Sequence, residues 1–168
     1  MLNKFIITAL AGAIALGATT AGAAEAEYVI KDELTRTECG DCHMGFPPNR
    51  LTSVGWKKIM AGLKDHFGED ASLDPKTVKH IEAYLVSKAM DSKPNVPTKM
   101  KLAAWKKKGI NDPIRITETP YWTRHHGSPK YKRMTKEVKY ARGVNCIICH
   151  KNAERGTYEE FPGLYGYD

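Results

Sequence analysis

The sequence predicts a mainly α chain folded as two small halves, each organised around a copy of one five-residue pattern. Three observations lead there. Apolar residues recur at helical spacing over 54–67 and 75–90, and each run starts at a capping residue. The polar, proline-broken stretch Asp91-Ser92-Lys93-Pro94-Asn95-Val96-Pro97 separates the halves. Cys39-Gly40-Asp41-Cys42-His43 lies before that break, and Cys146-Ile147-Ile148-Cys149-His150 lies after it. The halves are expected over 24–92 and 101–168, with 93–100 as the linker.

The opening residues read as a secretory signal over 1–23. Lys4 is the charged region, Phe5 to Leu16 is apolar, and Ala21-Gly22-Ala23 is an A-x-A cleavage site. That apolar run is shorter than the roughly 20 residues needed to cross a bilayer, and no later segment is long or apolar enough. The mature chain is therefore expected in the periplasm without a transmembrane span. Glu25 to Ile30 reads as a frayed leader. Asp32 to Cys42 reads as a short helix whose acidic start suits the helix dipole. Met44-Gly45-Phe46-Pro47-Pro48-Asn49 is a loop, because paired prolines cannot continue a helix, and Met44 is assigned to packing. Ser53 is the expected N-cap of a helix from Val54 to Phe67, stopped by Gly68. Its stripe is Trp56, Ile59, Met60, Leu63 and Phe67, and His66 sits at the edge. Asp74-Pro75 starts the next helix, which runs to about Met90 and buries Val78, Ile81, Leu85 and Ala89. His80 points nearly opposite that stripe and is expected in solvent.

Past the break, Thr98 is the expected cap of a helix holding Met100, Ala103, Ala104 and Trp105 and closing at Gly109. Asn111-Asp112-Pro113 turns the chain, and Ile114-Arg115-Ile116-Thr117 reads as extended. Thr119-Pro120 starts a helical turn carrying Tyr121, Trp122, Arg124, His125 and His126, ended by Gly127-Ser128-Pro129. A basic helical stretch is expected from there to Cys146. The Gly- and Tyr-rich tail reads as irregular chain wrapped over the second site.

The two patterns use all four cysteines and two of the six histidines. C-x-x-C-H is the attachment signature of c-type haem. Its two thiols add across the haem vinyl groups, and the adjoining imidazole comes up beneath the iron. Two disulfides, a thioredoxin-like pair or a Cys₄ zinc site would also use four cysteines, but none gives the two following histidines a role. Two covalent haem c groups are thus expected, attached at Cys39, Cys42, Cys146 and Cys149, with His43 and His150 as proximal iron ligands. Each iron then needs a sixth ligand. His66 can reach inwards for the first. His125 and His126 both suit the second, and periodicity does not separate them. Met60, Met90, Met100 and Met134 are rivals, with Met90 or Met100 fitting an ordinary His/Met first haem. Methionine raises the potential, so bis-histidine irons are expected to be comparatively reducing.

The formal charge is +7, and loss of Lys4 lowers it by one. Lys106, Lys107 and Lys108, then Lys130, Lys132, Arg133, Lys136, Lys139, Arg142 and Lys151, place the excess in the second half. Such a face could steer an acidic redox partner or simply be a solvated helix surface. Nothing resembles a nucleic-acid recognition motif. Trp56, Trp105 and Trp122 are assigned to packing. Arg115 and Glu118 could pair with each other or with a haem propionate. An iron with two strong protein ligands has no seat for oxygen or peroxide, so electron transfer is expected and no residue is assigned to catalysis. A dihaem peroxidase-like enzyme or a gas-binding haem sensor is the alternative, and either needs an open or labile axial position.

Several stretches resemble the small periplasmic dihaem cytochrome c family, whose members pair with a monohaem, oxygen-binding cytochrome. They are Glu38 to Met44, Trp56 to Gly68, Ala71-Ser72-Leu73, Arg115 to Pro120, and Cys146 to Gly156. The resemblance implies a helical N-terminal domain like a small cytochrome c and a small, largely irregular and helical C-terminal haem domain. It also implies His/His ligation at both irons, with the distal histidines at His66 and His126. The partners it suggests are redox proteins, with a monohaem cytochrome and a membrane cytochrome donor as candidates.

Overall fold

Asp32 opens the first described helix and ties it to a distant one. In the computed structural model, which describes residues 29–129, 131 and 145–158, its carboxylate accepts the Thr35 amide at 2.8 Å and the Thr35 hydroxyl at 2.6 Å. This caps helix α1, Glu33–Gly40. The same carboxylate meets His80 Nε2 at 3.0 Å. His80 is exposed, as its position on the helix predicts, yet it binds the cap of the helix that carries Cys39. The Thr35 bonds, followed by His80, hold the Asp32 pKa down at about 2. Ile30 departs from the expected frayed leader. It is buried, and the next amide, Lys31, donates to the Tyr84 hydroxyl at 2.8 Å.

Helix α2 covers Ser53–Ala61, shorter than the expected run to Phe67. Its cap is Thr52, whose hydroxyl accepts the Gly55 amide at 3.1 Å. Ser53 is bound instead by Asp91, which takes its amide and its hydroxyl. At Gly62 the helix gives way to a 3₁₀ turn, Leu63–Asp65. The Leu63 carbonyl accepts the Ala71 amide at 2.9 Å, so the chain folds back and Phe67 leaves the stripe. Helix α3, Pro75–Ser87, is capped by Asp74 with proline at its start, as the sequence predicts. Helices α2 and α3 enclose the core of Leu51, Trp56, Met60, Ile81, Leu85 and Ala89. Each large side chain so buried contributes about 1.5–3 kcal/mol. The Trp56 indole N–H also donates to the Pro48 carbonyl at 2.6 Å, which fixes the 3₁₀ turn Pro48–Arg50 on this core.

Helix α4, Val96–Lys107, begins inside the stretch expected as linker. Asn95 rather than Thr98 caps it, accepting the Thr98 amide at 3.0 Å. Pro97 is accommodated because a first-turn amide has no intrahelical acceptor to lose. Gly109, at φ +72, ends the element. Residues beyond α4 lie against the first half: Thr52 donates to Asp112 Oδ1 at 2.8 Å. The expected extended run at Ile114–Thr117 is instead extended only at Arg115, then 3₁₀ over Ile116–Glu118. Thr119 caps helix α5, Pro120–His126. The 3₁₀ turns Cys146–Ile148 and Ala153–Arg155 complete the described chain. The signal segment, the basic stretch before Cys146 and the end of the tail lie outside the described residues. Among the described residues there are five α-helices, no strand, and no helix long and apolar enough to cross a membrane.

Two measurements check this packing. A Cβ at Gly55 would stand 2.7 Å from the Pro113 carbonyl oxygen. Helix propensity favours Gly55→Ala by about 1 kcal/mol, but overpacking against backbone costs about 1–3 kcal/mol. Denaturant unfolding of the variant should show a net loss; a gain would mean that 110–113 does not pack on α2. The second concerns acid. Because the fold lowers the Asp32 pKa, the stabilisation is complete above the ordinary value of 3.8 and is lost as pH falls through about 2. Asp32→Asn keeps a capping side chain and should be less stable than the parent at neutral pH, with the difference vanishing across that acidic window.

Candidate functional site

Cys39 stands in the last turn of α1 and packs against the core, while Cys42 is exposed in the bend that follows. Burial, then the charge of Glu38, pushes the Cys39 thiol up to about 11. His43 comes next and rests against Phe46 at 5.1 Å. Its Nδ1 lies 2.8 Å from the Met44 carbonyl. A carbonyl only accepts, so Nδ1 carries the proton and Nε2 presents the lone pair, which is the usual outer support of a metal-binding histidine. Met44 is buried and serves packing, as expected.

The His43 ring faces His66, with centroids 6.2 Å apart and planes 17° from parallel. His66 opens a tight reversal in which its amide donates to the Glu69 carbonyl at 2.7 Å. The two central residues, Phe67 at φ +58 and Gly68 at φ +103, are both left-handed. Glycine takes that conformation readily, whereas phenylalanine is strained in it. The Arg115 guanidinium covers the Phe67 ring at 3.9 Å, and Arg115 also pairs with Glu118 at 3.7 Å. Burial first, then His43 and Arg115, holds His66 below the usual histidine range. Its imidazole is thus kept neutral and able to donate a lone pair.

The second site repeats the arrangement on different supports. The turn Cys146–Ile148 brings the His150 amide to the Cys146 carbonyl at 2.8 Å. Facing His150 at 6.1 Å is His126, with planes 87° apart. His126 Nδ1 donates to the Trp122 carbonyl at 3.3 Å, and its ring stacks on the Trp122 indole at 3.8 Å. Tyr131 closes on it at 4.7 Å. His125 is exposed and lies beside Tyr121 at 4.6 Å. The two histidines that periodicity leaves equivalent are therefore separated by the fold. Burial raises the Cys146 thiol, and the Arg50 charge pulls it back.

Nothing along the chain singles out Arg50. It belongs to the turn after the first pattern, yet its guanidinium lies 5.2 Å from the Tyr121 ring and 4.7 Å from the Tyr158 ring. Tyr158 in turn meets His150 at 5.7 Å. Of the rival methionines, Met60 is in the core and Met100 is exposed on α4; Met90 is half-buried, its amide donating to the Leu51 carbonyl at 2.9 Å, and Met134 lies outside the described residues.

These residues fit haem c. No disulfide joins the four cysteines. Among the described residues no three His, Cys, Asp or Glu side chains converge on a metal-sized point, which a Cys₄ zinc site would require. Two imidazoles bound on opposite sides of one metal through bonds of about 2.0–2.1 Å stand with centroids about 6.3 Å apart. Both facing pairs have that spacing.

The profile of the dihaem cytochrome c family matches residues 35–158. The dihaem cytochrome c of Rhodobacter sphaeroides is 41% identical with a TM-score of 0.64, over 77% of this chain and 98% of that one. The dihaem cytochrome type c of Shewanella baltica is 30% identical with a TM-score of 0.61, over 83% of this chain and all of that one. No curated protein matches at comparable strength. Both attachment patterns and the facing imidazole pairs fall within the matched region. The chain belongs to the dihaem cytochrome c family and carries two haem c groups with iron.

Proposed function

We propose that this haem-based electron carrier works in the periplasm with both irons held by two histidines, His43 with His66 and His150 with His126. The observation that carries the reading is the pair of facing imidazoles at 6.2 and 6.1 Å, each close to the span across one metal. Bound haem supplies an iron that exchanges single electrons between ferric and ferrous states. The chain's own residues define the rest. Cys39, Cys42, Cys146 and Cys149 tether the groups, and the Met44 and Trp122 carbonyls fix which nitrogen of His43 and His126 points inwards. Two imidazoles favour a comparatively low potential and leave no vacant position for substrate. Export follows from the signal read over 1–23. The partners proposed are redox proteins, a monohaem cytochrome on one side and a membrane cytochrome donor on the other, met in part through the basic second half.

Three observations test this. Carbon monoxide added to the reduced protein should leave the spectrum unchanged; prompt binding at one haem would favour a peroxidase-like enzyme or a gas sensor. The ferric protein should lack a methionine-to-iron charge-transfer band. His126→Ala should turn the second haem high-spin or adventitiously ligated, whereas His125→Ala should leave it low-spin; the reverse would exchange the two assignments.

A further inference from the structure

Two arginines cross between the sites. Arg50 follows His43 by seven residues, on the turn that Trp56 anchors to the first core. Its guanidinium nevertheless lies over Tyr121 and Tyr158, which flank the second site. Tyr121 sits one turn before His125 and His126 on α5, and Tyr158 touches the His150 ring. Arg115 belongs to the segment leading into α5, yet it covers Phe67, the strained residue next to His66 in the first site. The exchange is reciprocal, and the sequence separation is 71 residues for Arg50 to Tyr121 and 48 for Phe67 to Arg115. A salt bridge on a solvated helix surface would not place both cations on aromatic rings of the opposite site.

We infer that Arg50 and Arg115 are crossed positioning residues, each carried beside one haem site and setting the reduction potential of the haem in the other. A positive charge near an iron favours the ferrous state, which has one fewer positive charge, and so raises the potential. The effect grows as solvent is excluded. Arg50 is half-buried between two rings, while the Arg115 side chain is 47% exposed and shares its charge with Glu118. Arg50 should therefore act more strongly. Because each arginine also holds an aromatic contact between the halves, the pair fixes how the two sites lie relative to each other.

The inference takes its two sites from the reading above; whether the two substitutions move different waves is read without knowing the irons' ligands, and only the naming of each wave draws on the imidazole pairs. Redox titration in the visible range resolves two one-electron waves whatever binds the metals. Arg50→Gln should lower one wave alone, by about tenfold in its equilibrium constant, which is 59 mV for a one-electron couple. Arg115→Gln should lower only the other wave, by a smaller factor. Lysine at either position keeps the charge without the planar stacking, and should lower the same wave by less. Ferric paramagnetic resonance then identifies the waves. Near-parallel and near-perpendicular imidazole planes give distinguishable low-spin signals, and Arg50→Gln should move the haem of the perpendicular pair. Absence of two such signals in the parent protein would count against bis-histidine ligation alone. Both substitutions moving the same wave, each moving the haem beside its own sequence, or neither moving any would overturn the crossed assignment.

Discussion

Each of the two sites sets one imidazole about 6 Å from another, and keeping the rings at that spacing is the demand that the surrounding chain meets. Each ring must be held by its own backbone element. For His43 and His150 the support is local, because each follows its cysteines directly in a short turn. For His66 and His126 the support is tertiary, and the two halves obtain it differently. His66 stands on a tight reversal with two left-handed residues, while His126 stands in the last turn of a capped helix and leans on Trp122.

That difference has consequences for rigidity. His66 relies on a strained Phe67 that Arg115 covers from outside, and strain of this sort persists only where the surroundings enforce it. The second relies on a carbonyl one helical turn back and on an indole at stacking distance. The core between α2 and α3 serves the first site directly, because Cys39, Phe46 and Leu63 pack on its edge. Among the described residues the second site has less core of its own, and it draws on Arg50 from the first half.

Much of this could be read before folding was known. The attachment residues, the helical class, Asp32 and Asp74 as starting points, Gly109 as a stop and the burial of Ile81 and Leu85 all follow from local chemistry. Other features did not follow, and for identifiable reasons. The α2 stripe looks continuous to Phe67 because periodicity does not register that Gly62 is followed by a return bond from Leu63 to Ala71. Ser53 looks like a cap because nothing local reveals that Asp91 claims it. His80 is exposed as its position implies, but its bond to Asp32 could not be read because that partner is 48 residues away.

The sequence by itself determined the chemistry: a C-x-x-C-H pattern carries its two thiols and one imidazole within a single turn, so neighbouring residues are enough to specify it. What stands opposite is settled by packing between distant parts of the chain. Whether His125 or His126 faces His150, and whether Arg50 serves the first site or the second, depends on the direction in which a side chain leaves a helix or turn and on what packs behind it. Those are relations between residues far apart in the chain, and spacing along it contains no record of them.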